Sequence, residues 1–276
     1  MAITALAMMA VACADNRTPY PTAADAAAPS CVPDLDGALE AGELPITLGQ
    51  VGYWVSPAGE TRTVDIAGTV DGRGVRTWDF AADTAGDDWT SSTISSVGEQ
   101  WYAAEFPASA FVIREGDTDR IYRKDDSALW LLGIASHDPD PAAGKTLLAY
   151  DEPVAVVRFP IVPDRAYIAT GQVSLGTLNG LPYNGEDRYE IETRGGGELA
   201  LPGARFSQVH RVDTRVTVTP AAGGAGTTYR QTSYFFECFG EIVRATSEPG
   251  EPEADFTNAA SVRRLALLRP DERIEP

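Results

Sequence analysis

From Ile46 onward, short runs rich in Val, Ile, Thr, Tyr and Trp are punctuated by Gly, Asp, Pro and Asn, and no stretch repeats its apolar positions every 3.6 residues. This predicts strands joined by turns, an all-β chain with little helix. Tyr189, Ile191 and Thr193 alternate with Arg188, Glu190, Glu192 and Arg194. Val212, Val216 and Val218 stand in the same way against Arg211, Asp213 and Arg215. A side-chain period of two sends the first set of each pair to a core and the second to water. Segments 61–67 and 74–80 flank a turn-rich loop at 68–73, and 109–115 and 119–123 flank Gly116-Asp117-Thr118, so both read as hairpins. Gly195-Gly196-Gly197 and 221–226 read as turns between the longest strands. The expected architecture over 46–276 is a large, strongly curved antiparallel sheet, or half-barrel, with hairpin connections.

One set of segments carries a resemblance. Gly197-Glu198-Leu199-Ala200-Leu201-Pro202-Gly203-Ala204-Arg205-Phe206, Val209-His210-Arg211-Val212, Thr228-Tyr229-Arg230, Tyr234-Phe235-Phe236 and Gly240-Glu241-Ile242-Val243-Arg244 together resemble a pattern of uncharacterised bacterial secreted proteins and lipoproteins. Those proteins are similar to the lipoprotein-carrier (LolA/LolB-like) superfamily. The resemblance covers about the last third of the chain, and its motifs are strands and turns. It implies a curved half-barrel, with carrier activity by analogy.

The N-terminus reads as an address. Residues 1–12 are apolar except Thr4, end in Ala10-Val11-Ala12 and run directly into Cys13. Such a run is too short to span a bilayer but suits the core of an export signal. It resembles a bacterial lipoprotein signal, which implies that Cys13 becomes the acylated first residue. Residues 13–30, rich in Ala, Pro, Thr and Asp, read as a disordered tether. Ala14 rather than Asp after the anchor points, by analogy with lipoprotein sorting, to the bacterial outer membrane on its periplasmic or surface side.

Charge narrows the partners. The chain carries 40 acidic against 22 basic residues, a formal charge of −18. Its densest basic spot is Arg263-Arg264. A nucleic acid would be repelled over most of such a surface. Gly144-Lys145-Thr146 is not a nucleotide loop either: the required first glycine falls at Pro139, and Pro141 stiffens the backbone that would wrap the phosphate. With Cys13 lipidated, Cys31 and Cys238 form an even pair in an oxidising compartment, to be read as a disulfide or as two separate thiols.

Candidate chemistry is sparse. His137, in His-Asp-Pro-Asp-Pro, and His210, in a strand, read as ordinary surface or half-buried imidazoles, and there is no nucleophile elbow or zinc-binding His pair. Asp87-Asp88 and Asp125-Asp126, with Trp89, Trp101 or Trp130 as platforms, would suit work on a sugar, but adjacent acids also populate solvated turns. The most specific pattern lies in the Asp-rich loop at 31–45. With Gly37 as the turn glycine of an EF-hand-like loop, Asp34 and Asp36 fall on positions three and five, the Ala38 carbonyl on seven and Glu43 on twelve, while Val32 leaves position one without a side-chain oxygen. A weakened calcium site is therefore expected. The leading expectation is a non-enzymatic, lipid-anchored envelope protein that holds a lipid or other hydrophobic partner on its curved sheet. A surface carbohydrate-active enzyme using Asp/Glu pairs and a structural adhesin-like module are the alternatives.

Overall fold

The computed structural model describes residues 31–82, 84–223 and 226–267. The signal, Cys13 and the tether lie outside the described residues. The strands are β1 (Gly49–Val55), β2 (Arg62–Thr63), β3 (Thr69–Val70), β4 (Arg76–Asp79), β5 (Asp88–Ser96), β6 (Phe111–Glu115), β7 (Thr118–Lys124), β8 (Ala128–Ser136), β9 (Leu147–Arg158), β10 (Arg165–Leu178), β11 (Leu181–Leu201), β12 (Ala204–Pro220), β13 (Thr227–Phe236), β14 (Gly240–Ser247) and β15 (Asn258–Leu265). From β5 to β15 each strand pairs antiparallel with the next, and β1 pairs with both β5 and β15. Among the described residues, twelve strands thus close into an up-and-down barrel. The expected half-barrel is corrected on this point. The all-β content is as the pattern requires, but β1 reaches β15 through Tyr53–Leu265, Trp54–Arg264 and Val55–Arg263 and leaves no open groove.

Two turn expectations also change. Segment 61–67 does not pair with 74–80: β2 joins β15, and the hairpin is the tighter β3–β4 pair around the Asp71–Val75 turn. Gly195–Gly197 is a bulge inside β11, not a turn, and it lets the strand continue beyond the barrel wall to pair in parallel with β4. The hairpin at 116–118 forms where the pattern placed it, and β12 and β13 end and begin on either side of 221–226 and pair antiparallel, as that expectation requires.

Alternation divides the apolar residues into an inner and an outer set. Tyr122, Leu131, Val154, Tyr189, Ile191, Val212, Val216 and Phe235 belong to the core that fills the lumen. Outside, Trp78 and Phe80 of the 56–80 excursion cover Tyr234, Val243, Ala245 and Val262. The 97–110 segment covers Val112, Ile121 and Ala135 in the same manner. On the exposed flank of β11 and β12, Arg188, Glu190 and Arg215 form ion pairs with one another at 2.9–3.1 Å. A lipid-facing band requires apolar side chains there, so this flank faces water.

The two barrel ends differ. At one end the chain turns at 116–117 and 248–257; at the other, the segment from Leu39 to Leu44 packs its apolar residues into the lumen core. Lys124 Nζ pins this plug by donating to the Ala41 carbonyl at 2.6 Å and the Leu44 carbonyl at 2.5 Å. Leu39 and Ile161 exchange backbone hydrogen bonds with each other at 3.0 and 2.9 Å.

Trp78 provides a stability test. It is 1% exposed, its Nε1 donates to the Ile66 carbonyl at 3.0 Å, and its ring meets Tyr234 edge-on at 4.9 Å. Trp78→Ala should lower the urea unfolding free energy by about 3–5 kcal/mol. Trp89→Ala, at a site 38% exposed, should lower it by less than about 1 kcal/mol. Equal losses would refute the covered outer core.

Candidate functional site

The plug end gathers acidic groups. Cys31 and Cys238 form a disulfide with a Cα separation of 5.5 Å, joining the start of the plug segment to the β13–β14 turn. Glu237 is thereby brought against the Asp-rich loop. Its Oε2 accepts from the Asp34 N–H at 2.7 Å and the Leu35 N–H at 2.9 Å. The Cys238 N–H donates to the Glu43 carbonyl at 2.7 Å. Carboxylate oxygens of Asp34, Glu43 and Glu237 then lie within 4.8 Å of one another. Glu237 is 1% exposed, and its Oε1 is buried with no hydrogen-bond partner among the described residues. A buried carboxylate oxygen facing like charges is costly unless a cation joins it. Burial pushes the Glu43 carboxyl up against the pull of the Glu40 N–H, and Glu237, Asp34 and Asp36 push it the same way. Three convergent carboxylates are a hard donor set able to hold a divalent cation.

The sequence-derived loop is half reproduced. Gly37 takes φ of +92°, a conformation that suits glycine, and Asp34 and Glu43 converge as expected. Asp36 and Ala38 lie outside the cluster: Asp36 Oδ1 accepts from the Ala38 N–H at 2.9 Å, which shapes the turn. Glu237 takes the remaining place and was missed. Its signal was present, since pairing Cys31 with Cys238 necessarily sets residue 237 beside the loop. His210 was also misjudged. It is 3% exposed, its Nε2 has no partner among the described residues, and burial pushes its imidazole down while Glu237 and Asp36 resist. It lines a solvent-open cleft of about 460 Å³ together with Gly37, Gly74, Gly196, Gly197 and Gln208.

A second polar assembly crosses the lumen. Arg244 of β14 reaches Glu115 of β6 at 3.1 Å and Glu241 of β14 at 2.7 Å. Arg263 of β15 pairs with the same two carboxylates, and its guanidinium lies 4.3 Å from the Tyr53 ring centre. Arg120 of β7 approaches Glu115 at 3.6 Å. Burial alone would push the Glu115 carboxyl up, but Arg244, Arg263 and Arg120 overrule it and hold it at about 2. Glu241 is lowered for the same reason by Arg244 and Arg263. Nearby, Tyr150 Oη donates to Asp187 Oδ2 at 2.5 Å, and burial pushes Asp187 up.

The other sequence candidates are scattered. Asp87 is ion-paired with Arg62 at 3.2 Å and with Arg264 at the open end, whereas Asp125 lies at the plug end and accepts from Ser127 and from Trp130 Nε1. These acids therefore face no common substrate position. Trp101 donates to the Ser136 carbonyl at 2.9 Å, and Lys145 Nζ sits 4.5 Å from its ring centre, away from any phosphate cradle. His137 Nδ1 lies 3.1 Å from Asp119, a fully buried carboxylate that also accepts from Tyr102 at 2.7 Å.

The fold and site define a closed antiparallel barrel with an acidic cluster able to hold a divalent cation at its plugged end and an ionic network across its lumen. No family model, curated protein or solved structure matches the chain. The resemblance to lipoprotein carriers is corrected accordingly: closure removes the open groove those proteins share, and no family likeness supports it. The passive, non-enzymatic sheet binding a lipid or hydrophobic partner is also overturned. The surface assigned to that partner is a packed lumen crossed by ion pairs, and the Asp34–Glu43–Glu237 cluster supplies a donor set of the kind that supports catalytic as well as binding chemistry.

The lumen network predicts a pH response. The native carboxyls of Glu115 and Glu241 lie below the ordinary value of 4.5, so their contribution is complete above pH 4.5 and disappears as pH falls towards about 2. Glu43 and Asp187, being raised, act in the opposite sense and are relieved by acid. Urea unfolding at pH 6 and pH 3 should show the wild type losing more stability on acidification than Glu115→Gln. An identical pH slope would contradict the network.

Proposed function

We propose that the protein is a calcium-dependent, carbohydrate-directed barrel. The Asp34–Glu43–Glu237 cluster would hold the ion, and the adjoining His210 cleft would receive the ligand. The buried, unpartnered Oε1 of Glu237 carries this reading, because it points to a cation among carboxylates already held together by covalent and backbone restraints. Calcium takes six to eight oxygen ligands, so three carboxylates leave positions for outside oxygens. Neighbouring hydroxyls of a sugar match that need. The cleft supports the assignment by its position: Gly37 in its wall directly follows Asp36, and His210 lies within electrostatic reach of Glu237.

The contact pattern also favours a second reading. The same carboxylates tie the plug to the β13–β14 turn, so the ion would act as a structural staple of an adhesin-like module. Location belongs to the proposal as well: lipid on Cys13 would anchor the barrel to the outer membrane, and intact mass of the native protein tests it.

Calorimetric titration of the metal-free protein with calcium should give a dissociation constant of about 0.1–1 mM. Glu237→Gln should weaken it about tenfold or more, while Asp36→Ala changes it little. Loss in Asp36→Ala with retention in Glu237→Gln would overturn the assignment. Calcium-dependent retention on a panel of immobilised glycans, abolished by EDTA, supports carbohydrate recognition. A calcium-induced rise in Tm without glycan retention leaves the staple. Hydrolysis of chromogenic glycosides that requires calcium extends the reading to catalysis.

A further inference from the structure

The lumen opens, at the end opposite the plug, into a cavity of about 560 Å³ within the size range of small-molecule sites. Its wall carries Arg120, Arg244, Arg263, Gln231, Thr246 and Ser261. These residues come from strands on facing sides of the barrel, so their polar groups converge by closure alone. Three guanidiniums stand over two carboxylates, Glu115 and Glu241, and both carboxylates are held by Arg244 and Arg263 together. Arg120 is different. Its one ion pair within 4 Å among the described residues is Glu115 at 3.6 Å, beyond hydrogen-bond length, and its other polar neighbour is the neutral Tyr229 hydroxyl, so no carboxylate holds its donor fork as Arg244 and Arg263 are held. Arg263 Nε is buried with no partner among the described residues. The remaining carboxylate near Arg120 is Asp187, which accepts a 2.5 Å hydrogen bond from Tyr150 and which burial disfavours as an anion.

We propose that this cavity binds a small, hydroxyl-rich organic anion of the sugar-acid kind, its oxyanion on Arg120 and its hydroxyls on Gln231, Thr246 and Ser261. A guanidinium presents a planar fork of donors that matches a carboxylate or a phosphate with two parallel hydrogen bonds. Within a partly desolvated wall such bonds are stronger than in water. The net charge of −18 on the whole chain does not oppose this at close range. Beyond about 8–10 Å, physiological salt largely screens exposed charges, whereas the three arginines line the cavity itself. The site is separate from the acidic cluster at the other end and does not depend on calcium.

Calorimetry or saturation-transfer NMR on the full chain tests this with D-glucuronate, inorganic phosphate and D-glucose, each in EDTA. Saturable glucuronate binding should appear, compete with phosphate and exceed glucose binding at least tenfold. Arg120→Gln should weaken glucuronate at least tenfold without lowering Tm substantially, because the Arg244 and Arg263 ion pairs remain. Thr246→Val should weaken glucuronate but leave phosphate unchanged. The proposal is overturned if glucuronate does not bind, if glucose binds as tightly, if phosphate binds alone, or if Arg120→Gln binds as the wild type does.

Discussion

Everything in this molecule depends on the pairing of its first and last barrel strands. In an up-and-down meander all other neighbours follow one another in the chain, and only β1 and β15 must find each other across more than 200 residues. Three register pairs make that seam, and its last strand carries Arg263 and Arg264 side by side. Strand alternation sends Arg263 into the lumen, onto Glu115 and Glu241, and Arg264 outward, onto Asp87. The densest basic spot of an acidic chain is thus the clasp of the barrel rather than a patch for a polyanion.

Closing twelve strands creates a second constraint. Eight strands give an interior that side chains can fill, whereas twelve give a wider one. Two devices occupy the excess: the Leu39–Leu44 plug at one end and the arginine–carboxylate lattice nearer the other. Each needs anchoring. The plug is held by Lys124, a disulfide and the hydrogen bonds onto Glu237, and the lattice is held because each carboxylate meets both Arg244 and Arg263. Buried ion pairs add little net stability when complete but are expensive to break singly, which favours one arrangement of the lumen over others.

Both candidate sites are by-products of these devices. The acidic cluster exists because the plug's acidic loop is cross-linked beside Glu237. The polar cavity exists because the lattice stops short of the open end and leaves Arg120 at its edge. Function here follows from how the barrel solves the problem of its own width.

The alternation of Tyr189, Ile191 and Thr193 with charged neighbours was legible because a strand's side-chain period is local and requires no knowledge of its partners. The same holds for the hairpin at Gly116 and for Gly37 in its left-handed turn. The acidic loop was legible in part, since Asp34, Gly37 and Glu43 are near in sequence; Glu237 was legible only through the Cys31–Cys238 pair, because the contact that recruits it spans 203 residues. Local pattern likewise cannot distinguish a half-barrel from a closed one. An edge strand and a seam strand have the same alternation, and closure depends on twist accumulated over all twelve strands. The sequence alone therefore determined the alternation along the long strands and the acidic loop, but it placed Arg211 and Asp213 in water, whereas the 56–80 excursion and Asp255 cover them to 2% and 8% exposure. Tertiary structure decided the closure, the inward turn of Arg263 and the partners of each buried charge, because these depend on which distant segments the curvature brings together.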